Sequence, residues 1–233
     1  MTMRLSRRSA AIAALPAPPC PVGDSIMAPA AVAGVLAALD RGETHYTDRP
    51  GILPLRRTIA GILNRRYALA CEPGHVTLTC GATEARFVTV QRLLDEGAAL
   101  AAPAAADAIA GAVLTRGGRM TDDPSQARLL YLTASSSRDD LTAALRAASE
   151  DCLVIYEVDD TDATFHPAQV PGLAGRVVTI GEVGIDHGLV GARLGYLAAP
   201  PGEAAALRDF KQALTICSTN LSQWAALAVV EDL

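Results

Sequence analysis

Apolar residues recur at helical spacing through "APAAVAGVLAALDRG" and stop at Gly42, which predicts a first helix. "GILPLRRTIAGILNRRYAL" repeats the design: Leu55, Ile59, Ile62 and Leu63 share one side of a second helix, and the arginines point the other way. A short strand over 75–80 then runs into Gly81, and a helix opens around Thr83 and Glu84. Strand, tight turn and helix in this order make an anion site, because the free N–H groups of the first turn and the positive helix end converge there.

Beyond that point strands and helices alternate. The pattern predicts strands over 98–101, 129–133, 152–156, 177–180 and 194–198, with a helical or mixed segment over 104–114. Helices follow at "RDDLTAALRAAS", with acids in its first turn, and over 201–217, with Pro and Glu at its start. The apolar segment "STNLSQWAALAVVEDL" reads as a last helix that needs a surface to pack on. Such alternation predicts an α/β fold: a mostly parallel sheet in three layers, with helices on both faces.

Composition refines this. With 233 residues, half of them hydrophobic and 19% charged, the chain fills one core, preceded by an N-terminal arm and helix over 1–42; residues 43–233 form the α/β body. A net charge of -5 with scattered arginines gives no face for a nucleic-acid backbone. No run approaches the roughly 18 apolar residues of a membrane span. The first residues, "MRLSRRSAAIAALPAPPCPVG", read as an arm leading into proline and not as an export signal. Cys20, Cys71, Cys80, Cys152 and Cys217 show no CxxC spacing, so they read as buried thiols of a cytoplasmic protein, with no metal site. His45, His75 and His166 have no ligand spacing, and His187 reads as a structural or surface residue. Glu157, Asp159, Asp160 and Asp162 form an acid cluster that reads as a solvated loop.

Three stretches, in order, resemble the fold-type I pyridoxal-phosphate enzymes of the class I/II (aspartate aminotransferase-like) family. "HYTDRPGILPLRRTIAGILNRRY" resembles the Tyr, Gly and Leu-Arg segment before the family's large domain. "TLTCGATEARFVTVQRLLDEG" resembles the loop that holds the cofactor phosphate, and "GLVGARLGYLAAP" the segment ending in a phosphate-binding Arg. The resemblance runs from about residue 25 onward and implies the large domain of that fold, with the family's C-terminal small domain absent from this sequence. It implies pyridoxal 5'-phosphate as cofactor, held by Gly81, Ala82, Thr83 and Arg193, with Tyr46 reaching in from the partner subunit of a homodimer. Taken as residues alone, Gly81 also serves as a plain strand-to-helix turn, and Arg193 as an ion-pair partner of Glu182 or Asp186.

The family's catalytic groups do not carry over. Its cofactor is attached to a lysine amine eight residues before the closing Arg; here Ile185 stands at that place. Of the 20 Lys and Arg residues only Lys211 is a lysine, and it reads as a solvated residue of a helix. Tyr156 stands where the family's Asp meets the pyridine nitrogen, and Asp159 where its Tyr meets the ring oxygen. "YLTASSSRDD" lacks the family's Asn, and Ala104, Ala105 and Ala106 replace its stacking aromatic ring. Glu182 and Gly184 replace two phosphate-side serines, and Glu182 sets a like charge beside any phosphate. No catalytic residue is assigned. The expectation is an aminotransferase-like protein without transamination, kept as a dimeric module for a phosphate-bearing or other small molecule. The alternative is a protein that uses pyridoxal phosphate non-covalently.

Overall fold

The computed structural model describes residues 27–159 and 165–230. Two helices, α1 (Pro29–Asp40) and α2 (Leu53–Tyr67), precede β1 (Val76–Thr79) and α3 (Gly81–Leu93). Next come β2 (Ala99–Ala101), α4 (Ala106–Arg116), β3 (Arg119–Thr121), β4 (Leu129–Thr133), α5 (Arg138–Ala147) and β5 (Leu153–Glu157). The described chain closes with β6 (Val177–Glu182), β7 (Gly195–Ala198), α6 (Pro201–Thr215) and α7 (Asn220–Val230). Seven strands form one sheet in the order β1-β7-β6-β5-β4-β2-β3. β7 runs antiparallel to both of its neighbours, and the other pairings are parallel.

Alternation along the strands builds the three layers. Tyr131, Ile155, Val178 and Leu197 join α3, α4 and α6 on one face. Leu130, Leu132, Val154 and Tyr156 join Leu141 and Ala144 of α5 on the other. Beside them on that second face, Val76, Leu78 and Tyr196 pack with Ile59 and Leu63 of α2 and Ala225 and Ala226 of α7. The helix of the 1–42 segment joins this cluster through Ala31, and the Arg41 guanidinium lies 4.7 Å from the centre of the Trp224 ring. The arm before it, with Cys20, falls outside the described residues, as do Asp160 and Asp162.

The α/β class and the layered, mostly parallel sheet match the sequence expectation, and the strand over 129–133 matches to the residue. β3 goes unannounced by the pattern: three partly exposed residues at the sheet edge, paired in parallel with β2, carry no alternation to read. Arg56 corrects the expectation that the α2 arginines all face water. It is 7% exposed. Its Nε donates to the Gly51 carbonyl at 2.9 Å and its Nη1 to the Pro73 carbonyl at 2.8 Å, so the apolar stem is buried while the head replaces water with backbone oxygens. Burial pulls its pKa below the ordinary arginine value, with Asp48 opposing.

Candidate functional site

Three strand ends meet beside the start of α3. β7 lies between β1 and β6, and Gly195 pairs with Thr79 on one side and Glu182 on the other. At this junction Gly81 opens α3 with φ +70, a left-handed conformation that disfavours a side chain. Just before β7, Arg193 also has positive φ, at 51°, and its side chain returns over the Gly81 turn. A Cβ built on Gly81 would meet Arg193 Nη2 and Glu182 Oε1, each at 3.1 Å. The structure therefore brings turn and arginine together.

The cradle they form holds a carboxylate of the chain itself. The Ala82 N–H donates to Glu182 Oε1 at 3.3 Å, and Arg193 Nη1 stands 4.0 Å from the same oxygen. Arg193 thus adopts the ion pair that the residues alone allowed. Thr83 lies at the exposed rim, where its hydroxyl accepts from Arg86 Nη2 at 3.3 Å. Tyr46 stands apart, 75% exposed on the loop between α1 and α2, beside an open depression it shares with Cys217, Ser218 and Asn220. Ile185 is 40% exposed at the start of a one-turn 3-10 helix between β6 and β7.

A second group of polar residues, of which the sequence shows only Glu157 and that as a solvated acid, continues from Thr83 across the ends of β4 and β5. Arg86 Nη1 donates to both oxygens of Glu157 at 2.8 Å, and the Tyr131 hydroxyl donates to Glu157 Oε2. Burial opposes the Arg86 charge, but Glu157 and Tyr131 outweigh it and hold the guanidinium above its ordinary pKa. Burial, then the neighbouring Glu157, pushes the Tyr131 phenol up, so it remains a donor. Glu157 is accordingly neither a solvated acid nor a free one. Tyr131 also lines an open depression of about 830 Å³ with Ala104, Ala105, Thr133 and Ser136. Tyr156, one residue before Glu157, points to the opposite sheet face, where its hydroxyl donates to the Phe165 carbonyl at 3.1 Å. Strand alternation therefore puts Glu157, and not Tyr156, on the side of the anion turn.

Lys211 corrects the expectation of a solvated lysine. It is fully buried on α6, and its Nζ donates to the Ser218 hydroxyl at 3.3 Å. Desolvation lowers its pKa, partly offset by Glu84, Cys217 and Cys80. Glu84 ties α6 to the start of α3, accepting from the Cys80 N–H and from the Thr215 hydroxyl. The cysteines are also less uniform than expected. Cys152 is buried and Cys71 half-buried, each pushed up to about 11 by burial, whereas Cys80 is exposed.

On the far side of the sheet His166 is fully buried between the rings of Tyr67 and Tyr156, with centroids at 5.0 and 4.8 Å. Its Nδ1 accepts from the Ala168 N–H, so the proton sits on Nε2 and donates to Thr179 Oγ1 at 2.9 Å. Burial pulls its pKa down to about 4, which makes it a neutral strut of the loop before β6.

This is the fold of the aminotransferases. The solved structure of the Rhizobium meliloti aspartate aminotransferase superposes with a TM-score of 0.80 over 98% of this chain and 71% of that one, at 22% identity. No protein-family model matches the chain. Among curated proteins it is 28% identical over 229 residues to an aspartate aminotransferase of Rhizobium meliloti (strain 1021), covering 83% of this chain and 56% of that protein. It is likewise 28% identical over 233 residues to the arginine--pyruvate transaminase AruH of Pseudomonas aeruginosa, covering 84% and 59%. The chain is similar in sequence to these aminotransferases, and it spans under two thirds of the length of either.

Pyridoxal phosphate is the cofactor this kinship implies, and the residues present do not fit it. The turn that the resemblance assigns to the phosphate holds Glu182, which accepts from the Ala82 N–H and stands beside Arg193. The Glu157 carboxylate, on the same side of the sheet, is already paired with Arg86 and accepts from the Tyr131 hydroxyl. No amine stands at Ile185, and the sole lysine is sealed against Ser218.

Proposed function

We propose that this protein is an aminotransferase-fold pseudoenzyme: it does not transaminate, and it is kept as a cytoplasmic, homodimeric module that binds a small molecule. The observation that carries this is the placement of the only amine side chain. Lys211 is enclosed within the body, bonded to Ser218, while the resemblance expects the family's lysine eight residues before Arg193, where this chain has Ile185. A hydrocarbon side chain neither bonds covalently to an aldehyde nor moves a proton. The missing stacking ring, and a carboxylate, Glu157, that is already paired with Arg86 and Tyr131, weaken the same chemistry independently.

Residues 1–42 serve in this reading as the arm and first helix, and 43–233 as the large-domain body. Exposed Leu36, Tyr46, Leu53 and Ile216 support a second copy as partner, with Tyr46 offered to that copy's cradle. No helix among the described residues is long and apolar enough to cross a membrane. The ligand surface is the open depression lined by Tyr131, Thr133, Ser136 and Ala104, linked by the hydrogen bonds from Tyr131 to Glu157, from Arg86 to Glu157 and from Arg86 to Thr83 to the first turn of α3.

The test is amino-group transfer. The protein is incubated with pyridoxal phosphate, aspartate or arginine as donor, and a 2-oxo acid as acceptor. The new amino acid is expected at the rate of the protein-free control; protein-dependent, saturable formation would refute the assignment.

A further inference from the structure

The turn of Gly81 and Ala82 has the parts of an anion site, yet its anion is built in. Glu182, the last residue of β6, is brought to the turn by sheet register: it pairs with Gly195, which on its other side pairs with Thr79, two residues before Gly81. This places a carboxylate oxygen 3.3 Å from the Ala82 amide and 4.0 Å from Arg193 Nη1. An external phosphate would need the same N–H, the same guanidinium and the same volume, and it would meet the Glu182 charge at contact distance.

We propose that Glu182 is the specificity-determining residue of this cradle, an internal carboxylate that closes it to phosphate-bearing ligands. Three observations converge on the role. Glu182 takes the Ala82 N–H, so one donor of the positive helix end is satisfied from within. Its side chain is 27% exposed and that of Arg193 48%, so the pair is accessible to a competing ion and the closure comes from charge and occupancy, not from burial. The Gly81 turn leaves no Cβ in the way, so the space the carboxylate fills becomes available once it is removed. The body therefore accepts ligands in the Tyr131 depression without a phosphate anchor at the helix start.

Phosphate binding requires no turnover, so this inference stands or falls apart from the question of transamination. Calorimetric titration of the full chain with inorganic phosphate, and separately with pyridoxal phosphate, compares wild type with Glu182→Ser, Glu182→Gln and Glu182→Asp. Serine and glutamine remove the charge and are expected to tighten phosphate binding at least tenfold. Aspartate keeps the charge and is expected to leave binding as weak as in wild type, which separates charge from side-chain size. Adding Arg193→Ala to Glu182→Ser is expected to abolish the gain. Equal affinity in wild type and Glu182→Gln, a gain in Glu182→Asp as large as in Glu182→Gln, or a gain that survives loss of Arg193 would each overturn the proposal. Thermal unfolding of Glu182→Gln, nearly isosteric with wild type, confirms that the comparison is made on folded protein.

Discussion

A Cβ on Gly195 would lie 2.5 Å from the carbonyl carbon of Gly81 and 2.8 Å from the amide nitrogen of Ala82. The first strand residue of β7 is therefore what allows the anion turn to sit against the sheet. Both contacts are with backbone and not with the end of a flexible side chain. Gly195→Ala is expected to destabilise by about 1–3 kcal/mol through overpacking. Gly61→Ala in α2, where the Cβ meets only the tip of Arg65 at 3.3 Å, is expected to be neutral or to stabilise by up to about 1 kcal/mol. Urea unfolding of the two variants measures the contrast.

Glu157 and Arg86 predict a second asymmetry. Glu157→Ala leaves a mostly enclosed guanidinium without its carboxylate and is expected to cost about 3 kcal/mol. Removing both charges, in Arg86→Met with Glu157→Leu, is expected to recover most of that loss, since neither desolvated charge remains. Equilibrium unfolding of the two single variants and the double variant checks the cycle.

His166 predicts sensitivity to acid. Its folded pKa, about 4, lies below the ordinary value of 6.5, so the unfolded chain takes the proton more readily. The stability this provides is fully present above pH 6.5 and is lost as the pH falls through 4, amounting to about 3 kcal/mol over that window. In His166→Phe, denaturant midpoints measured between pH 7 and pH 4 are expected to fall less steeply than in wild type.

Lys211 predicts the reverse of an ordinary surface lysine. Burial lowers its folded pKa, so charging the amine opposes folding at neutral pH, and the opposition fades as pH rises toward 10.5, where the unfolded amine also loses its proton. Lys211→Met, similar in length and apolar, is expected to raise the melting temperature at pH 7, with a smaller gain at pH 10. Thermal scans at the two pH values decide it.

How far these features were legible follows from the distance over which each is built. The strand Leu129–Thr133 and the helix Arg138–Ala147, capped by Ser137 on the Asp140 N–H, are local patterns and stand in the sequence as such. The Gly81 turn and Arg193 were legible because their motif fixes the order of strand, turn and helix. Glu157 and Arg86 are 71 residues apart, and only the alternation of β5 decides which of Tyr156 and Glu157 faces α3. Lys211 looks solvated because helical periodicity shows a polar position and is silent about α3 and Ser218 closing over it. In the sequence the Glu182 charge stands as a cost to a bound phosphate; that it fills the cradle itself follows from the antiparallel register of β7.

Covalent capture of the cofactor tests the central claim most directly. The protein is mixed with pyridoxal phosphate, reduced with borohydride, digested and mapped by mass spectrometry. The account predicts that the peptide bearing Lys211 remains unmodified and that no absorbance band of a bound cofactor is lost on adding an amino acid. A stoichiometric phosphopyridoxyl adduct on Lys211, with a band that bleaches when an amino donor is added, would contradict it.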